Sequence, residues 1–310
     1  MIKLYFAPLE GITTATYRNA HARMFEGCDG YYAPFITPSD IERISLKSMR
    51  DILPENNKEI PLNVQVLTAQ SDSFFKFAKK AESLGYREFN INLGCPSQTV
   101  VKKGRGAGFL KDPEGIDRFL YDIFERGGVS VSVKTRTGFF SGQEMEQLMQ
   151  VYNKYPLSLL IIHPRARTDF YKGEPDMKVF REAYDVSTNP VCYNGNIFSK
   201  WDYDRIVEEY PGLNSVMIGR GAIKNPAIFR HIKGGLPLNA DELKTFSREL
   251  IKNYMEKLDS EYFTLNKLKE IWMYIMWNYP EERKLLKAIK KTSKLSDFER
   301  ILDTIPKLER

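Results

Sequence analysis

The stretch Asn90-Ile-Asn-Leu-Gly-Cys95-Pro-Ser-Gln-Thr-Val100-Val-Lys-Lys-Gly104-Arg-Gly-Ala-Gly108 opens as an apolar strand and stops at Gly94-Cys95-Pro96. A glycine-punctuated basic loop follows, which sets a thiol at the carboxyl end of a strand. Parallel α/β folds keep their chemistry at that end. Lys102, Lys103 and Arg105 stand among glycines that let backbone approach a ligand, so the loop has the composition of an anion-contacting surface.

Outward from this strand the same unit repeats. Candidate strands fall at Lys3–Pro8, Gly30–Phe35, Leu62–Val66, Glu88–Leu93, Val129–Thr135, Leu157–His163, Pro190–Asn194 and Ser215–Gly219. Amphipathic helical stretches lie between them, among them Ser73–Leu84, Pro113–Arg126, Gly142–Tyr155 and Lys200–Tyr210. Eight such alternations predict an α/β fold, a (β/α)8 TIM barrel, in preference to an open sheet with a misread edge.

The pattern changes at Gly234-Gly235-Leu236-Pro237, a linker beyond which no strand signal appears. Helices are expected at Asn239–Leu258, Thr264–Trp277, Glu281–Lys291 and Leu295–Leu308, with Trp272, Trp277, Met273 and Leu285 as core of a small C-terminal helical bundle. The expected domains are therefore a barrel over 1–235 and a helical unit over 236–310. Arg283, Lys287, Lys290, Lys291 and Lys294 share one helix face, and the run that holds them contains no acid. Such a face is either plainly solvated or built for phosphates.

The bulk composition narrows the class. The chain has 310 residues and a net charge of +6, a mild excess that indicates nucleic acid only if it is localised. Its three cysteines, Cys28, Cys95 and Cys192, are too few and too scattered for a disulfide framework or a CxxC metal site. Pro8 comes too early for a signal peptide and no apolar run approaches a membrane span, so a cytoplasmic, soluble protein is expected, and a monomer is expected besides.

The predicted strand ends form one polar list: Pro8, Leu9 and Glu10; Gln65; Asn92 and Cys95; Lys134 and Arg136; His163 and Arg165; Asn194, Gly195 and Asn196; Gly219, Arg220 and Gly221. One polar strand tip can simply meet water, but seven together outline a site. The glycine turns of the last two strands, with Arg220, suit a phosphate monoester. Their spacing is neither a dinucleotide fingerprint nor a Walker loop, which favours a mononucleotide cofactor such as FMN. Lys134 and Gln65 offer a cation and an amide for a flavin's N1–C2 carbonyl edge, the plainer reading of Lys134 being an ion pair with Glu10. His163 has no second histidine at ligand spacing, so no metal site is expected. His21 reads as a helix-surface or capping residue. Cys28 and Cys192 read as small buried residues, whereas the cations beside Cys95 predict a favoured thiolate.

These residues resemble the motif set of the dihydrouridine synthase family of flavoenzymes. The matching pieces are Ala7-Pro8-Leu9-Glu10-Gly11-Ile12-Thr13, Asn92-Leu93-Gly94-Cys95-Pro96, Gly104 to Gly108, Val133-Lys134-Thr135-Arg136-Thr137-Gly138, His163-Pro164-Arg165-Ala166-Arg167, Tyr171-Lys172-Gly173, Asn194-Gly195-Asn196, and Gly219-Arg220-Gly221-Ala222 with Asn225-Pro226. Leu9 stands where that family usually has methionine, Pro164 where it has glycine, and Asn196 where it often has aspartate. The resemblance implies an FMN-binding barrel followed by a helical RNA-binding domain, reducing uridine to 5,6-dihydrouridine in tRNA with NADPH as electron donor. It implies FMN contacts from Pro8, Leu9, Glu10, Gln65, Lys134, His163, Asn194, Gly195, Asn196, Gly219 and Arg220. Cys95 would protonate C5 of the uracil while hydride reaches C6, and Asn92, Arg136 and Tyr171 would hold the flipped base. The basic groups Lys102, Lys103, Arg105, Lys287, Lys290 and Lys291 would then grip the RNA, transfer or ribosomal. The rival readings are an ene-reductase or dihydroorotate-type oxidase acting on a small molecule, which needs neither basic element, and a non-catalytic RNA-binding flavoprotein, which needs neither Cys95 nor Lys134.

Overall fold

A computed structural model describes residues 2–38, 49–58 and 60–307. Eight parallel strands close into a barrel in chain order: β1 Lys3–Phe6, β2 Gly30–Tyr32, β3 Leu62–Val66, β4 Glu88–Leu93, β5 Ser130–Arg136, β6 Leu160–His163, β7 Val191–Tyr193 and β8 Ser215–Ile218. Closure is made by β1 on β8, with Lys3 opposite Ser215 and Phe6 opposite Ile218. Every predicted strand is present, several shorter than read, because the polar tips curl away as rim loops. Among the described residues no helix is long and apolar enough to cross a membrane.

The pleat decides which side chains enter the barrel. Residues two apart on a strand share a face, so Asn90 and Asn92 on β4 point inward with Ser132, Lys134 and Arg136 on β5, register partners being Asn90 with Ser132 and Asn92 with Lys134. Below this polar tier the interior is plugged by Ala7, Tyr32, Leu159, Ile161, Cys192 and Met217. The larger core lies between strands and helices and continues without a break into the helical C-terminal region.

Two barrel helices were not delimited from the sequence. Ala15–Met24 lacks a side-chain cap and a first-turn acid, and it buries Arg18 and His21, so its apolar period is broken. Met177–Val186 is opened by Asp176, whose carboxylate accepts the Val179 N–H. His21 is not on the surface: it is fully buried, its Nδ1 2.8 Å from the Tyr31 hydroxyl and its Nε2 2.8 Å from the Pro226 carbonyl. Aromatic rings of Phe6, Tyr17, Phe25, Tyr31 and Phe229 surround it, so burial, only partly opposed by Pro226, lowers its pKa to about 4.

The C-terminal helices are Ala240–Leu258, Glu261–Ile275, Arg283–Lys291 and Leu295–Asp303, and the end of the predicted last helix, Leu308, lies outside the described residues. Asn239 and Glu242 form a capping box that starts the first of them. Phe246 packs edge-on against Tyr17 and Phe25 of the barrel, and Arg230 holds Glu242 through two hydrogen bonds of 2.8 and 3.0 Å. Trp272 is fully buried and donates to Ser247 at 3.2 Å; truncating a residue so placed costs about 3–5 kcal/mol. Trp277, expected in the core, is instead 44% exposed, because it faces the barrel mouth.

Candidate active site

A cavity of about 510 Å3 opens at the carboxyl end of the strands. It receives Pro8, Leu9 and Glu10 from the β1 rim, Gln65 from β3, Asn92 and Cys95 from β4, and Lys134 and Arg136 from β5. His163, Tyr171 and Arg220 complete its polar wall. A narrow recess of about 60 Å3 extends from it and is lined by Asn194, Gly195, Gly219 and Arg220 together with Lys134 and His163. Residues scattered from 8 to 220 thus converge because the barrel collects every strand tip on one face.

Hydrogen bonds place the thiol. The Ser132 hydroxyl accepts from Asn90, the Asn90 carboxamide oxygen accepts from Gln65, and the Gln65 oxygen accepts from Asn92, at 2.9, 2.7 and 2.7 Å. The Asn92 oxygen then accepts the backbone N–H groups of Gly94 and Cys95 at 3.0 and 2.9 Å. Arg136, buried, donates from Nε to the Gly94 carbonyl at 2.9 Å and from its terminal nitrogen to the Ala166 carbonyl at 2.9 Å. The basic loop folds back so that the Ala107 N–H reaches the Cys95 carbonyl at 3.0 Å. Gly106 permits this: its φ is +54°, and a Cβ there would lie 3.0 Å from the Cys95 carbonyl oxygen and 2.9 Å from Val100.

The expectation of a favoured Cys95 thiolate is overturned. Burial pushes the thiol above its ordinary pKa and the Glu10 carboxylate adds to this, while the Ser97 amide, Arg136 and Lys134 oppose it without prevailing. Cys95 is a free, half-buried thiol, and its burial favours the protonated form. Cys28 and Cys192 are also pushed up by burial, to about 12.

Lys134 faces both the cavity and the recess, and its ammonium pairs with no described residue, Glu10 included. Burial, then Arg136, brings its pKa down to about 8. His163 is buried and held neutral, well below the usual histidine range, by burial and by the cations Arg136, Lys134, Arg165 and Arg220. Its Nε2 lies 3.2 Å from Arg165, which can only donate, so Nε2 accepts and Nδ1 carries the proton. Tyr171, 52% exposed, lines the cavity, its ring 5.3 and 4.7 Å from the guanidinium groups of Arg136 and Arg220.

Asn196 stands behind this wall. Its oxygen accepts from Arg220 at 3.0 Å and its amide donates to Glu174 at 3.0 Å, so it aims Arg220. Lys102 and Lys103 are exposed and Arg105 half-buried on the loop after Cys95, outside the cavity. Lys287, Lys290 and Lys291 are exposed on their helix, whose Leu285 and Ile289 face inward.

Sequence reading missed several cavity residues: Phe35, Phe170, Glu270, Tyr274 and Trp277. The last three had a signal. They stand at i, i+4 and i+7 on one helical stripe that includes an acid, distinct from the apolar stripe of Leu265, Leu268, Trp272 and Ile275. Lys267 anchors that helix to the β1 rim by donating to the Gly11 carbonyl at 3.0 Å. Arg165 braces the Tyr171 loop through the carbonyls of Lys172 and Gly173.

The profile of the family described as dihydrouridine synthase (Dus) matches residues 5–307. The protein named tRNA-dihydrouridine(16) synthase from Salmonella typhimurium is 27% identical over 317 residues, spanning 98% of this chain and 99% of that one. The probable tRNA-dihydrouridine synthase 1 of Synechocystis is 26% identical over 285 residues, spanning 92% of this chain and 75% of the relative. Among solved structures, the old yellow enzyme from Trypanosoma cruzi superposes with a TM-score of 0.54 at 11% identity, covering 81% of this chain and 93% of that one. Morphinone reductase gives 0.51 at 10%, covering 76% and 88%. At such identity the likeness to the solved structures is one of fold.

Proposed function

Because the chain belongs to the dihydrouridine synthase family, we propose that it reduces the C5–C6 double bond of uridine in tRNA to 5,6-dihydrouridine, using FMN and NADPH. The observation that carries this reading is the meeting of a protonated thiol, an unpaired ammonium and a neutral imidazole in one cavity.

The residues fit a flavin mononucleotide. Gly195, Gly219 and Arg220 in the narrow recess suit its phosphate, and Lys134, without a partner of its own, suits the edge of the ring that becomes anionic on reduction. Pro8, Leu9, Glu10, Gln65, His163 and Asn194 would hold the remainder, with Asn196 aiming Arg220. When bound, a flavin supplies hydride to C6 of the uracil, its electrons drawn from NADPH.

The chain's own residues do the rest. Cys95 delivers its thiol proton to C5 as charge develops there, and burial keeps that proton in place until it is needed. Asn92 and Arg136 fix the loop that carries the thiol, and with Tyr171 they flank the space for the base. A uracil must leave its stack to enter a barrel mouth, so the RNA needs a grip elsewhere. We assign that grip to Lys102, Lys103 and Arg105 and to Lys287, Lys290 and Lys291, within a unit of residues 236–310.

The test is to map dihydrouridine in RNA from cells with and without the protein, and to incubate the purified protein with FMN, NADPH and unmodified tRNA transcripts. Loss of specific dihydrouridines in the deletion, restored by the purified protein, is expected. Identical maps and an inert protein would refute the reading.

A further inference from the structure

We propose that Lys111, Phe140, Arg167 and Phe170, built over the buried ring of Phe139, form a stacking platform for a nucleotide adjacent to the target uridine, an inference that rests on the RNA-reductase reading above. Three rim loops build it. The turn Gly106–Lys111 after β4 supplies Lys111, the loop after β5 supplies the two adjacent phenylalanines, and the loop after β6 supplies Arg167 and Phe170. The Lys111 ammonium lies 4.0 Å from the Phe139 ring centroid and 5.6 Å from that of Phe140. The Arg167 guanidinium lies 5.4 Å from Phe139 and 4.9 Å from Phe170. Phe140 is 66% exposed, and Phe170 both meets solvent and lines the cavity.

The arrangement is held firmly. Arg167 N–H donates to the Gly138 carbonyl at 2.9 Å, the Thr168 hydroxyl to the Phe140 carbonyl at 3.0 Å, and the amides of Phe139 and Phe140 to the Glu144 carboxylate at 2.7 and 2.9 Å. Phe170 has a φ of +52°, a backbone conformation unfavourable for a bulky L residue, and it turns an aromatic ring toward the mouth.

A lone exposed phenylalanine needs no explanation, but here the rings come with two cations that pair with no carboxylate among the described residues. Aromatic faces beside unneutralised cations match the bases and phosphates of a single strand. Drawing one uridine into the cavity unstacks its neighbour, which then needs a new surface, and this patch continues the cavity wall through Phe170.

The full-length protein and an unmodified tRNA transcript provide the test. Ultraviolet crosslinking followed by mass spectrometry should mark RNA on the peptide containing Phe139 and Phe140. Phe140→Ala should raise KM for the transcript at least about fivefold, the lower end of what one stacked base contributes, and by more than it lowers kcat, whereas Phe140→Trp should restore it. An unchanged KM in Phe140→Ala, or crosslinks that map only elsewhere, would overturn the platform. A wild-type protein that makes no dihydrouridine counts against the enzyme reading alone, since crosslinking is read without turnover.

Discussion

The side-chain oxygen of Asn92 accepts the Cys95 backbone N–H at 2.9 Å, so a residue fixed in β4 dictates where the thiol stands. Its amide is meanwhile spent on Gln65, which ties that position to β3 as well. The thiol is thus located by the barrel wall itself and not by the mobility of its loop.

Cys95→Ala should retain flavin and its reduction by NADPH while losing dihydrouridine formation by about 10²–10⁴-fold, the usual span for a general acid. Because the thiol's pKa is raised, its alkylation by iodoacetamide should be slow at neutral pH and climb only above the ordinary thiol range. Following the modified peptide by mass spectrometry against pH decides this, and a rate already maximal at pH 7 would restore the thiolate.

Lys134 titrates at about 8 instead of 10.5, so between those values the free protein carries it neutral. Binding reduced flavin, whose ring edge is anionic, should return the proton, and anaerobic calorimetry at pH 9 in buffers of different ionisation enthalpy should register uptake approaching one proton. Lys134→Met should abolish the uptake, weaken FMN and slow its reduction. Equal proton uptake in the variant would break the assignment.

His21 carries a stability prediction with a definite sign. Its pKa falls from 6.5 unfolded to about 4 folded, so the unfolded chain binds more protons in that interval and stability is lost as pH drops through it. The full loss is about 3 kcal/mol by linkage. Thermal melts of His21→Gln should begin lower at pH 7 yet decline less between pH 6.5 and 4. Parallel declines would locate the acid sensitivity elsewhere.

Charge reversal at Lys287, Lys290 and Lys291 should raise KM for tRNA and flatten its salt dependence, by about 0.7–0.9 in log–log slope for each phosphate contact removed, with flavin reduction by NADPH intact. An unchanged slope in the triple variant would return this helix to a solvated face.

The barrel was legible because seven of its eight strands end in a polar tip and several of its helices begin at a recognisable signal, so even the exact bounds of β3 and β4 could be read. Cys95, Lys134 and His163 were legible as strand-end residues whose chemistry exceeds what water contact requires. Their protonation was not, since it depends on burial summed over distant strands; cations beside Cys95 suggested a thiolate that desolvation prevents. His21 was misplaced for a related reason: a polar side chain in a helix says nothing of the five rings that later close around it. Glu270, Tyr274 and Trp277 escape because Trp277 alone of the three reads as bundle core, while the surface their stripe meets lies across the chain.

That stripe limits how this enzyme can be recombined. With Glu270, Tyr274 and Trp277 in the cavity lining and Lys267 clasping the Gly11 carbonyl, the chamber is walled by both ends of the chain. Chimeras joined at the Gly234-Gly235 linker, made to transfer a relative's RNA preference, would exchange part of the cavity wall along with the residues proposed to grip the RNA. A graft that respects the chemistry must carry the barrel's own stripe with it.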